Sequence, residues 1–286
     1  MAVAVAASSL VGRDNDALQV HPPQGAHHLT TNGSNWLWAV TAVFLLSYVV
    51  FFVLSMRPRH GERIFHYVFA SALIVGALVY YAQASDLGWR VIAQANNAAY
   101  YPTRQVFYAK YIYWVVAFPA AVIALGLLST VSWASIAYNV FLAWVWVVAY
   151  LVAAFTPSNY KWGFFAIGTL AWLVLAFGTF TDGRKAADRS GIGRDFTMLA
   201  GWTNLLWLNY VIAFAISDGA NTIGVTQMFI YFGILDREFL YLLFFFSLFA
   251  VPWEGPTKAS AGHRHHFSRW SKENRRLLII FHLQSC

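Results

Sequence analysis

The stretch Val225-Thr-Gln-Met-Phe-Ile-Tyr-Phe-Gly-Ile-Leu-Asp236-Arg-Glu-Phe-Leu240-Tyr-Leu-Leu-Phe-Phe-Phe-Ser-Leu-Phe-Ala-Val-Pro-Trp253 decides the fold. It exceeds the roughly 20 apolar residues that cross a bilayer core. One charged triplet, Asp236-Arg237-Glu238, stands at its middle, and it contains no lysine. The stretch lacks the alternation of barrel strands, and backbone in hydrocarbon must pair its own amides, so it reads as a membrane helix.

Working outward, six more blocks of this kind precede it, at about 36–56, 64–84, 106–128, 134–155, 161–180 and 196–216. The composition agrees: 59% of the 286 residues are hydrophobic and only 11% charged, against about 25% charged in a soluble domain. The expected fold is an all-α membrane protein, a seven-transmembrane-helix bundle over 36–253. A polar arm without aromatic residues, 1–35, precedes it and is expected to be disordered; a basic tail, 254–286, follows.

The net charge of +7 and pI near 9.5 suggest nucleic acid until the cations are located. Arg57, Arg59, Arg63, Arg184, Lys185, Arg189, Arg194 and six further tail cations fall on one side of the spans; Arg13, Arg90, Arg104 and Lys161 fall on the other. Topology thus accounts for the charge, and no nucleic-acid partner is expected. Lysine and arginine resist translocation, so the N-terminus is expected outside and the C-terminus in the cytosol. Asn32-Gly33-Ser34 is then a glycosylation sequon on the outer side. The tail alternates cations with Phe267, Trp270 and Leu277 to Phe281, which suits anionic lipid or a solvated basic tail equally. His263 to His266 give a metal site little support, and no metal is expected. A single cysteine, Cys286, excludes an intramolecular disulfide.

Inside the membrane each ionised group costs about 3 kcal/mol on insertion scales. Asp236, Arg237 and Glu238 must therefore face the interior, water or one another, either as a functional group or as a structural pair. In the third block Lys110, Tyr113, Ala117 and Ala124 share one helical face, beside Trp114. Trp207, Tyr210 and Phe214 form an aromatic wall on the sixth, and Phe165 and Trp172 stand on the fifth. Such walls are core packing more often than a ligand pocket. No phosphate loop, metal-ligand spacing or nucleophile motif is present, so an enzyme is not expected.

These motifs carry a resemblance. Arg104-Gln-Val-Phe-Tyr-Ala-Lys-Tyr-Ile-Tyr-Trp-Val-Val-Ala-Phe-Pro119 resembles the third helix of fungal microbial rhodopsins, whose pattern is RQ-x-FYARYIDW-x-x-TTP. Tyr80-Tyr81-Ala82 with Gly88, Trp207-x-x-Tyr210 and Tyr231-Phe-Gly-Ile-Leu-Asp236 are similar to the second, sixth and seventh helices. The resemblance implies a retinal lysine one turn after the helix-seven aspartate, where this chain has Leu240. It further implies that Tyr113 replaces the counterion, Lys110 the gating arginine, Ala117 and Phe118 the paired threonines, and Ala124 the proton donor.

No covalent retinal, and hence no cofactor, is expected. Tyr80, Trp114, Phe165, Trp172, Trp207, Tyr210 and Phe214 are then the walls of a vestigial pocket. The chain resembles the fungal opsin-related branch that lacks the lysine, the heat-shock-30-like plasma-membrane proteins. That implies a stress-linked, chaperone-like or regulatory role rather than light-driven proton pumping, and allows a membrane-protein partner or homo-oligomer. Noncovalent binding of retinal or another apolar ligand, and an ion path through the central charges, remain alternatives.

Overall fold

The computed structural model describes residues 15–56 and 63–250, with side chains as far as Phe239. A short helix α1 (Ala17–Val20) is followed by spans α2 (Thr31–Leu54) and α3 (Arg63–Ala84). An antiparallel hairpin, β1 (Trp89–Ala93) with β2 (Thr103–Phe107), leads into α4 (Ala109–Ser129) and α5 (Trp133–Phe155). Next, α6 (Lys161–Gly178) runs through a π-helical turn, Thr179–Gly183, into α7 (Arg184–Arg189). Span α8 (Gly193–Phe214) ends in a second π-helical turn, Ala215–Gly219, and α9 (Val225–Ala250) completes the bundle. Six of these helices are long and apolar enough to cross a membrane over their described residues, and α9 supplies the seventh span.

The chain packs α2 on α3, α3 on α4, α4 on α5 and α5 on α6, while α9 touches both α8 and α2 and closes the ring. Alanine and glycine along α4 let it enter the middle: 67% of its apolar window is buried, against 28% for α2. Large apolar residues such as Leu46, Leu170 and Phe177 remain on the outside. Without water around them they face lipid, so the bilayer is a structural partner.

Two features depart from the sequence expectations. The arm is built from residue 15 onward: Ser34 at the start of α2 is fully buried and donates to the Ala84 carbonyl. His27 donates its N–H to the Thr103 carbonyl of β2 and accepts from Gln105 N, and Leu29 is fully buried. This strap persists because its polar backbone finds partners on the hairpin, a gain that composition does not reveal. The first span accordingly starts at Thr31, whose predecessor Thr30 caps it by accepting from Gly33 N. Asn32 thus lies in the first helical turn, exposed, with its sequon Ser34 inaccessible. The second departure is the hairpin itself, which takes residues 106 and 107 out of the expected third span. Residues 1–14, Arg57, Arg59 and the tail lie outside the described residues.

Candidate functional site

The interior is built around α4. Pro119 lacks an N–H, which frees the Val115 carbonyl four residues earlier; the Trp144 indole of α5 donates to it at 3.1 Å. One residue before the proline, Phe118 enters the centre of the bundle. Its ring stacks on Trp114 at 5.7 Å and on Trp146 at 4.7 Å, and meets Tyr210 edge-on at 5.1 Å and Trp207 at 6.0 Å. Trp172 packs against Trp146, while Phe214 and Phe165 close on Tyr150. Each such aromatic pair adds about 0.5–1.5 kcal/mol beyond area burial. Six of the seven wall residues pack on one another and on Phe118, Trp146 and Tyr150, while Tyr80 packs on Phe44 and Tyr113.

Beside this stack lies a cavity of about 10 Å³ between Tyr80, Gln83, Lys110, Tyr113, Trp114 and Asp236. That is room for about one water. Gln83 Nε2 is buried there with no partner among the described residues, which is the kind of atom a water satisfies.

Asp236 is buried and accepts from two phenols, Tyr80 of α3 and Tyr210 of α8. The carboxylate therefore ties three helices together. Its neighbours turn the other way: Arg237 donates to Glu238 at 3.1 Å on a half-exposed face. The central triplet thus divides into a buried acceptor and an adjacent outward pair, as the 100° step between neighbours on a helix requires. On α4, Lys110, Tyr113, Ala117 and Ala124 are all buried. Leu240 lies in α9 one turn beyond Asp236.

A second centre, unforeseen in the sequence, lies toward the hairpin. Asp218 is fully buried in the second π-helical turn and takes Arg104 Nε at 3.0 Å, the Lys110 ammonium and the Tyr111 hydroxyl at 2.9 Å. Arg104 also donates to the Ile223 carbonyl at 2.7 Å and to Asn221. Lys161 caps the turn, donating to the carbonyls of Asp218 and Gly219 and to Gln94. The Lys110 ammonium lies about 5.0 Å from the ring centres of Tyr111 and Phe232, which partly replaces lost hydration. Two cations meet one carboxylate and a third caps the turn that carries it, so the cluster locks β2, α4, α6 and the end of α8.

Above it His27 hydrogen-bonds Asn221 at 2.8 Å and stacks on Tyr101 at 3.6 Å. Burial holds its imidazole below the ordinary pKa, with Arg104 adding to the effect and Asn221 opposing it. Burial likewise pulls the Arg104 guanidinium down, against the pull of Asp218. Nearby Asp86 accepts from Gln105 at 2.6 Å through one oxygen, while the other is buried with no hydrogen-bond partner among the described residues. Burial pushes this carboxyl up to about 6.

Comparison with known proteins gives the architecture its relatives. The bacteriorhodopsin-like protein family model matches residues 31–238. The opsin-like protein carO of Fusarium fujikuroi is 34% identical, covering 80% of this chain and 78% of its own. The 30 kDa heat shock protein of Saccharomyces cerevisiae is 32% identical over 91% of this chain and 85% of its own. Among solved structures, the light-driven proton pump of Leptosphaeria maculans superposes with TM-score 0.72 at 27% identity, covering 78% of this chain and 97% of that one. A family match across the bundle, fungal relatives over most of the chain, and a shared helical architecture lead to one conclusion: the chain belongs to the bacteriorhodopsin-like family.

Proposed function

We propose that this opsin-like membrane protein binds no retinal and pumps no protons, and serves instead as a stress-linked regulatory or chaperone-like protein of the fungal plasma membrane. The observation that carries the first half is Phe118, whose ring stands amid Trp114, Trp146, Trp207 and Tyr210 and leaves only about 10 Å³ beside Asp236. An apolar ligand needs a pocket of about 300 Å³ or more, so the filled interior also counts against noncovalent retinal. The replacement of the attachment lysine by Leu240 points the same way.

Asp236 and the Asp218 cluster then act as fasteners of a fixed bundle. An ion path is disfavoured on similar grounds. Beyond the aromatic stack, the buried face of α4 is apolar from Ala120 to Gly126, and its one buried hydroxyl, Ser129, is spent on the Leu125 and Gly126 carbonyls. The regulatory half rests on the 30 kDa heat shock protein among the relatives and on the basic tail, which suits an anionic membrane surface. The distribution of cations supports a hairpin end facing outward.

The test restores the lysine. Leu240→Lys, supplied with all-trans retinal in vesicles, is expected to show no light-driven acidification, because Tyr113 and Ala124 still offer no proton acceptor and donor. Pumping by that single variant contradicts the proposal.

A further inference from the structure

At the end of the bundle opposite the hairpin, a cleft of about 250 Å³ opens between α5 and α6. Its floor is α4, at Val122, Leu125 and Gly126, and its outer lips are the exposed Tyr138 of α5 and Phe177 of α6. One wall is the π-helical turn Thr179–Gly183, a distortion found often at functional sites. Gly178 leaves the space free: a Cβ there would meet only Asn139 Oδ1, at 3.8 Å. Because the lips are exposed apolar residues of two membrane spans, the entrance faces lipid, and the occupant must come from the bilayer.

The chemistry of the lining selects among lipids. The inner part is apolar, with Val122, Leu125 and Phe196, and one end is polar, with Ser135, Asn139 and Asp182. Among the described residues no cation lines the cleft; Arg184, on the following turn, points its guanidinium to within 4.0 Å of Asp188. Asp182 makes no ion pair among the described residues, and the Asn139 side chain makes no hydrogen bond there. A phosphate headgroup would meet a carboxylate and no counter-charge. A single hydroxyl fits: it donates to the Asp182 carboxylate and accepts from the Asn139 amide or the Ser135 hydroxyl.

We infer that this cleft is a sterol-binding site, seating the edge of a rigid ring system against α4 with its 3β-hydroxyl at Asn139 and Asp182. The rest of the ring system stays in the bilayer, in keeping with a cleft open on one side.

The test uses the full chain in phosphatidylcholine nanodiscs with a cholesterol analogue carrying a photoreactive diazirine. Labelling is expected to concentrate on the peptides covering 122–139 and 174–183 and to be displaced by unlabelled cholesterol. Gly178→Leu, whose Cβ finds only Asn139 Oδ1, at 3.8 Å, puts an apolar side chain into the cleft and should abolish the labelling while the melting temperature is retained. Methylating the sterol hydroxyl should weaken binding about tenfold, the equivalent of one hydrogen bond to a charged group. Asp182→Ala should erase that difference, and as an exposed residue it leaves the fold intact. Labelling spread evenly over lipid-facing helices, labelling unchanged in Gly178→Leu, or displacement by phosphatidylserine in preference to sterol overturns the inference.

Discussion

At the scale of residues, the roles turn on what each polar group finds after burial. Asp236 was conspicuous in the sequence as a charge amid aromatic residues, and its burial was required by the cost of placing it in lipid. Its partners Tyr80 and Tyr210 were named only as pocket walls, because a helical wheel shows a face but not the atom it reaches. Asp218 escaped notice for a related reason: Arg104, Lys110 and Lys161 lie 114, 108 and 57 residues away, and the chain around it reads as a turn. Phe118 was visible only as a substituted threonine, and its position as the plug depends on rings from three helices.

Asp86 supplies a pH test. Its pKa rises from 3.8 to about 6 on folding, so the folded state holds the proton more tightly. Its contribution to stability is complete below pH about 4 and is lost as pH rises through about 6, by at most about 3 kcal/mol. Asp86→Asn keeps the left-handed backbone at φ 55° and the acceptor for Gln105. Melting curves between pH 4 and 7 should show this variant gaining on the parent as pH rises; parallel curves sink the assignment.

At the scale of elements, the spans were legible because about 20 apolar residues in lipid have few alternatives to a helix. The hairpin and the strap were not, since the hairpin depends on pairing of 89–93 with 103–107 and the strap on the bonds of His27 to Thr103 and Gln105, which no local period announces. The proline in α4 shows how one element repairs another. Pro119 leaves the Val115 carbonyl unpaired, and Trp144 reaches it from α5. Trp144→Phe is expected to destabilise by about 1–3 kcal/mol, the cost of stranding that acceptor, beyond the loss of ring area. Pro119→Ala restores the missing N–H, so the same tryptophan change in that background should cost less. Equal costs in the two backgrounds, measured by thermal melting, would mean that the indole bond does not carry this stability.

For the whole molecule, the ring of seven helices was readable from hydropathy, and the distribution of cations supports the proposed orientation. Tyr100 in the hairpin is strongly exposed, so a Tyr100→Cys, Cys286→Ser variant in intact cells should react with a membrane-impermeant maleimide; protection until lysis would reverse the topology. The central claim is that this scaffold retains its architecture with its interior closed around Phe118. Its most direct test is the visible spectrum of the protein purified with all-trans retinal, before and after borohydride. The account predicts no red-shifted band. A band that survives reduction would contradict the filled interior, and a band lost on reduction would reveal a Schiff base that Leu240 cannot form.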